Sequence, residues 1–187
     1  MGDDLQADGQ AWKLLSRIAE LRSPWLTVVA ERFETPEGGT VDSWRIEKPD
    51  SVVVLAQADG RLLLPPPSYR AGVGRVTLDF AGGRVESGDS VLGAAVRHAV
   101  RELGLVDASA VDDVELLDDA GWDVDSSTSG QRLFGAVATL GPRPGEAVRS
   151  GILSYPADGE GVAELLADLK CLQCRAVLAE WWQRARR

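Results

Sequence analysis

Apolar residues recur along this chain with two different periods, and the changes of period mark out its elements. Between Gln10 and Arg22, Ala11, Leu14, Leu15, Ile18 and Leu21 fall on one helical stripe that Pro24 closes, which predicts an N-terminal helix. Trp25 to Phe33 and Val41 to Ile46 are rich in β-branched and aromatic residues. They flank Pro36-Glu37-Gly38-Gly39, the composition of a hairpin connection. Ser51 to Ala58 and Arg61 to Leu64 flank Asp59-Gly60, a second hairpin whose first strand is apolar enough for the centre of a sheet. Pro65-Pro66-Pro67 ends that hairpin, and Arg75 to Phe80 resumes an extended pattern after a break at Gly72 to Gly74.

Over Val91 to Leu103 the period becomes helical, with Leu92, Ala95, Ala99 and Leu103 on one face. Asp89 or Ser90 is available as N-cap and Gly104 is placed to stop the helix. Val114 to Leu117 and Leu133 to Leu140 read as strands around a polar loop, Asp118 to Gln131. Gly151 to Tyr155 reads as a short strand, and the stretch from Val162 onward as helix. No repeat or long linker interrupts this order. The expected fold class is therefore α/β, a single domain with mixed hairpins around one central helix and another helix at the end. Residues 1–47 form its N-terminal helix and hairpin extension, and residues 48–187 its body.

Length and charge narrow the partners. A chain of 187 residues, 44% hydrophobic and 26% charged, suits one globular core rather than a disordered segment. Its longest apolar runs, Val52 to Ala56 and Leu62 to Pro67, fall far short of the roughly 20 residues of a membrane span. Met1-Gly2-Asp3-Asp4 is acidic where a secretory signal is basic, so the expected location is cytoplasmic. Acidic residues outnumber basic ones 29 to 20, which argues against nucleic acid bound through a charged face but not against a nucleotide held by a few arginines. Cys171 and Cys174, three apart in the late helical stretch, make a poor disulfide and at best half a zinc site. They read as two reduced, packed thiols.

The segment from Gly82-Gly83-Arg84-Val85-Glu86-Ser87-Gly88-Asp89 through Arg97 to Glu102-Leu103-Gly104-Leu105 resembles the Nudix box, here spanning 83–105. Gly83, Asp89, Arg97, Gly104 and Leu105 keep the spacing of that signature. Ser68-Tyr69-Arg70 and Leu78-Asp79-Phe80-Ala81-Gly82 look like the pattern that precedes the box in ADP-ribose pyrophosphatases, and the similarity runs from about Trp25 to Ala138. The resemblance implies a Nudix α/β/α sandwich with a mixed sheet. It also implies hydrolysis of a nucleoside-diphosphate-type or other small anionic substrate, Mg²⁺ held by glutamates of the box helix, and a homodimer that exchanges N-terminal strands across Trp25 to Ile46.

The three glutamate positions of that helix are His98, Arg101 and Glu102 here, so one carboxylate remains. Arginine offers donors only, and histidine is a poor ligand for Mg²⁺. A guanidinium about 5 Å from a divalent ion costs on the order of several kcal/mol even at an effective dielectric near 20. Residual metal binding would fall to Glu102 and Glu86, with Mg²⁺ disfavoured. Asp89 and Arg97 are expected to form a structural pair. One alternative is a metal-independent enzyme of cyclisation, isomerisation or hydrolysis, with His98 as general acid/base oriented by Glu102. Another is a non-catalytic ligand sensor. In each case Arg70, Arg84 and Arg101 are candidate anion-binding residues, and Trp122 a candidate stacking platform. Among the late-loop acids, Glu115, Asp118, Asp119, Asp123, Asp125 and Glu146 are candidate bases.

Overall fold

A computed structural model describes residues 11–141 and 150–186. Glu146 and most of the loop from Gly141 to Ser150 lie outside the described residues. The chain divides into two compact units: residues up to Lys48 together with Asp123–Gln131, and Pro49–Trp122 together with Arg132 onward. No helix among the described residues is long and apolar enough to cross a membrane.

The first unit is an antiparallel meander of β1 (Lys13–Arg22), β2 (Thr27–Glu34) and β3 (Thr40–Glu47). Its first strand corrects the expected N-terminal helix: Lys13 pairs with Glu34 and the ladder runs through to Arg22 against Thr27. A short isolated helix is marginal in water, whereas all residues of this strand but Leu15 and Ile18 gain a cross-strand partner, so pairing overrides the helical spacing of the leucines. The ladder has irregularities between Leu14 and Ser16 and between Arg17 and Ala19, which shift faces along β1 and blur the two-residue alternation. The turn into β2 is closed by the Ser23 hydroxyl, which accepts from the backbone N–H groups of Trp25 and Leu26.

The second unit is built around β4 (Ser51–Ala58), buried on both faces over Val52 to Ala56. It is followed by β5 (Arg61–Leu64), the small hairpin β6 (Ser68–Arg70) and β7 (Arg75–Thr77), and β8 (Ala81–Arg84). Then come α1 (Val91–Leu103), β9 (Val111–Leu116), β10 (Trp122–Asp125) and β11 (Ser129–Leu140), of which the stretch Asp123–Gln131 belongs to the first unit. The chain closes with β12 (Leu153–Pro156), α2 (Gly159–Asp168) and α3 (Leu172–Ala185). On one side of β4 runs β11, parallel, with Leu133 opposite Ser51 and Thr139 opposite Gln57. On the other side β8 covers Ser51 to Val54 and β5 covers Ala56 to Ala58, both antiparallel. The sheet is thus mixed, as expected.

Val52, Val54 and Ala56 on one face of β4 pack with Ala94, Ala95, Ala99 and Leu103 of α1. The alanines let the helix axis come close to the sheet, and fully burying a side chain such as Leu103 contributes about 1.5–3 kcal/mol. The opposite face of β4 meets α3. Helices on both sides of a mixed sheet make the α/β/α sandwich. Three details differ from the sequence reading. Ala81–Arg84 is a strand, the polar loop contains β10, and the terminal helical stretch breaks into α2 and α3 between Leu169 and Cys171. Leu169 there leaves the helix with extended backbone, although no Gly or Pro marks the site.

Candidate functional site

The box helix forms where its residues place it. The Ser90 hydroxyl accepts from the Gly93 N–H at 3.0 Å, and Gly104, at φ +67°, ends α1 by donating its N–H to the Val100 carbonyl. Arg97 donates to Asp89 at 2.6 Å, joining the helix to the loop before it as the expected pair.

Next to Arg97 in the helix lies His98, only 3% exposed. Its Nε2 is 2.9 Å from the Arg84 carbonyl and its Nδ1 is 2.9 Å from an Arg101 guanidinium nitrogen. A guanidinium can only donate, so Nδ1 accepts and the ring proton sits on Nε2, pointing at the carbonyl: a neutral imidazole with both nitrogens engaged. Burial is the main cause that lowers its pKa below the ordinary 6.5. The charges of Arg101 and Arg97 act in the same direction, against the Arg84 carbonyl and Glu102. Gly83 lies against the ring. A Cβ there would come within 2.4 Å of His98 Cε1, and one at Gly82 within 2.5 Å of the Val52 carbonyl oxygen. The Gly-Gly pair of the box is thus required by the close approach of β8 to the imidazole and to β4.

Arg101 also donates to Glu102 at 2.6 Å, so the remaining helix carboxylate is ion-paired. Both residues line a recess with Pro65, Pro66, Pro67, Ser68, Arg70 and Asp79. Arg70 in turn donates through Nε to Asp79 at 2.8 Å. The structure therefore brings three of the expected site residues, Arg70, Arg101 and Glu102, together with Asp79 in two arginine–carboxylate pairs, and seats His98 behind Arg101. Arg84 joins this group through its carbonyl. Glu86 is exposed on the loop after β8, and Trp122 packs elsewhere, over Gly135. Of the late-loop acids, Asp125 is held to about 2 by Thr128 and Ser127, so its carboxylate closes a turn. Mg²⁺ wants several hard oxygens. Two carboxylates, Glu102 and Asp79, each bound by an arginine, are a donor set that does not fit it.

A second cavity, of about 370 Å³, adjoins the same Arg70–Asp79 pair and is lined by Arg75, Lys170, Cys171 and Cys174. Cys171 is the N-cap of α3 and Cys174 is in its first turn. The two cysteines are therefore not both inside a helix as the sequence suggested. Cys174 is buried and accepts from the Phe80 N–H at 3.4 Å. Its thiol lowers the Cys171 pKa to about 6 by hydrogen bonding to that sulfur. Asp79 completes the group: one ligand atom from each of Asp79, Cys171 and Cys174 lies within 4.8 Å of the others. Sequence reasoning missed this cluster because 92 residues separate Asp79 from Cys171, and only the C-x-x-C spacing pointed to half of it.

No family model matches the sequence, and no curated protein does. A crystal structure of an ADP compounds hydrolase is similar in fold, with a TM-score of 0.78 at 21% identity, over 95% of this chain and 95% of that one. At that identity the likeness is one of fold, and it agrees with the layers found here: the chain has a Nudix-like α/β fold, with a mixed sheet between helices.

Proposed function

We propose that the chain is a divergent Nudix-type hydrolase. On this reading it binds a small anion of the nucleoside-diphosphate class in the recess formed by Pro65–Ser68, Arg70, Asp79, Arg101 and Glu102, with its metal site impaired. One observation carries the reading: Arg101 occupies a helix position where the resemblance puts a metal-binding glutamate, and it neutralises Glu102 at 2.6 Å. A guanidinium at the mouth of the recess, 58% exposed, can exchange its carboxylate partner for a phosphate oxygen with matched fork geometry. The fold shared with an ADP compounds hydrolase supports the choice of ligand class. Metal-free acid/base catalysis by His98 gains no support from the geometry, since that imidazole is buried with both nitrogens engaged.

Calorimetric titration of ADP-ribose with and without Mg²⁺, beside a phosphatase-coupled assay for the two phosphomonoesters that diphosphate cleavage yields, tests the reading. Binding that needs no Mg²⁺ and weakens in Arg101→Ala, with slow turnover, is the expected result. Rapid Mg²⁺-dependent turnover in the unaltered chain would overturn it.

We further propose that the chain pairs with a second copy of itself through the N-terminal meander. All ten residues of β1 are exposed, among them Leu14, Leu15, Ile18 and Leu21, and Trp25 and Trp44 are 66% and 59% exposed. The charges of the meander are already spent on one another: Glu31 takes Arg45 at 2.8 Å and Arg17 at 3.1 Å, and Arg17 also meets Glu20. A surface so apolar and internally neutralised suits a like surface better than a charged partner. Sedimentation analysis is expected to give a dimer that Ile18→Asp dissociates; a wild-type monomer at micromolar concentration refutes the pairing.

A further inference from the structure

We propose that Asp79, Cys171 and Cys174 form a binding site for a soft divalent cation, Zn²⁺ in the first place, on the wall of the cavity beside Arg70. Three donors of the right kind converge from two distant parts of the sequence, with their ligand atoms within 4.8 Å of one another. In a tetrahedral zinc site with bonds of about 2.0–2.3 Å, neighbouring ligand atoms stand roughly 3.3–3.8 Å apart, so closure needs separations to shorten by at most about 1.5 Å.

The surroundings hold the donors in place. Asp79 Oδ2 accepts from Arg70 Nε and from the Thr77 hydroxyl, both at 2.8 Å. That leaves Oδ1, which stands 4.0 Å from Cys174 Sγ, to face the sulfurs. A ligating carboxylate fixed by hydrogen bonds to its second oxygen is the arrangement metal sites use to orient their ligands. The Phe80 N–H points at Cys174 Sγ, so that thiolate would find an amide donor.

Charge and hardness select the ion. Two thiolates and a carboxylate carry three negative charges. A divalent ion leaves one, which Arg70 balances from its hydrogen bond to Asp79. Sulfur donors favour Zn²⁺ over Mg²⁺. Three protein ligands leave a fourth position, and the cavity in front of Cys171 supplies the room for a water or an anionic group there. The site shares Asp79 and its partner Arg70 with the recess of the proposed function, but none of its three ligands belongs to α1 and its two sulfurs lie outside that recess.

The test uses the full chain, fully reduced, with Co²⁺ as the probe and Zn²⁺ as competitor. The expected result is one Co²⁺ per chain with a thiolate-to-cobalt charge-transfer band and tetrahedral visible bands, all bleached by Zn²⁺. Cys171→Ser, at a half-exposed position, is expected to lose most of the charge-transfer intensity. Asp79→Asn should weaken Co²⁺ binding, and Thr77→Val, which only loosens the carboxylate, should weaken it by about 10- to 100-fold. Circular dichroism confirms that each variant is folded. A reduced chain with no charge-transfer band overturns the proposal, as does a band that Asp79→Asn leaves unchanged in intensity and affinity. A cysteine pair that only interconverts between dithiol and disulfide, taking up no cobalt when reduced, overturns it equally.

Discussion

The Arg70–Asp79 pair faces two clusters of opposite character. Toward the C-terminal end of α1 it meets Arg101 and Glu102, a recess of alternating charges in which each carboxylate is held by a guanidinium. Toward the N-terminal end of α3 it meets two sulfurs, with one carboxylate oxygen turned to them. Where the box resemblance places hard-metal ligands, the chain has a cation and a buried neutral imidazole. Where the sequence suggested only packed thiols, it has a convergent donor set. The lesson is that α1 owes its place in the fold to its caps, its buried face and its Asp89–Arg97 pair, none of which depends on a carboxylate at position 98 or 101.

The strongest way to break this comparison is to give the box helix its carboxylate back. Arg101→Glu places two acids side by side at an exposed position, so Mg²⁺-dependent cleavage of ADP-ribose should rise by on the order of 10- to 100-fold, while metal-free anion binding falls. The phosphatase-coupled assay and calorimetry on the same preparation check both. Unchanged Mg²⁺ dependence would mean that Arg101 does not limit metal binding in the recess.

Next in size is the contact of Gly83 with His98. Gly83→Ala forces a methyl into the imidazole and should destabilise the chain by about 1–3 kcal/mol in urea unfolding. In the Gly83→Ala/His98→Ala double variant the space left by the ring should absorb the methyl, giving a coupling of about 0.5–3 kcal/mol. Strict additivity would remove His98 from its place under β8.

The smallest effect is one of pH. The folded pKa of His98 is lowered, so between it and the ordinary value of about 6.5 the unfolded chain binds more protons than the folded one. His98 therefore contributes its full stability above about pH 6.5 and loses it as pH falls through the folded pKa. Melting temperatures measured from pH 7.5 down to pH 5 should drop more steeply in the unaltered chain than in His98→Asn. Parallel curves would show that His98 is not what the chain protonates as it unfolds.

The sequence alone determined what is local. Val91–Leu103 is legible as a helix because its alanines recur at helical spacing between a serine that can cap and a glycine that can adopt the left-handed turn. The hairpin at Asp59-Gly60 and the central, doubly buried β4 are legible for the same reason: the signal and the structure it specifies lie within a few residues of each other. The tertiary structure decided the rest. Lys13–Arg22 carries leucines at helical spacing and becomes a strand because β2 offers it a ladder, an interaction that local pattern does not encode. The break at Leu169 to Cys171 has no Gly or Pro to announce it, yet it turns Cys171 from a mid-helix residue into an N-cap at a cavity wall. His98 and Asp79 are both legible as residues near a resembling motif. That one is sealed beneath Gly83 and the other shared between an arginine recess and two sulfurs follows only from packing, because burial and convergence are relations between segments that the chain keeps apart until it folds.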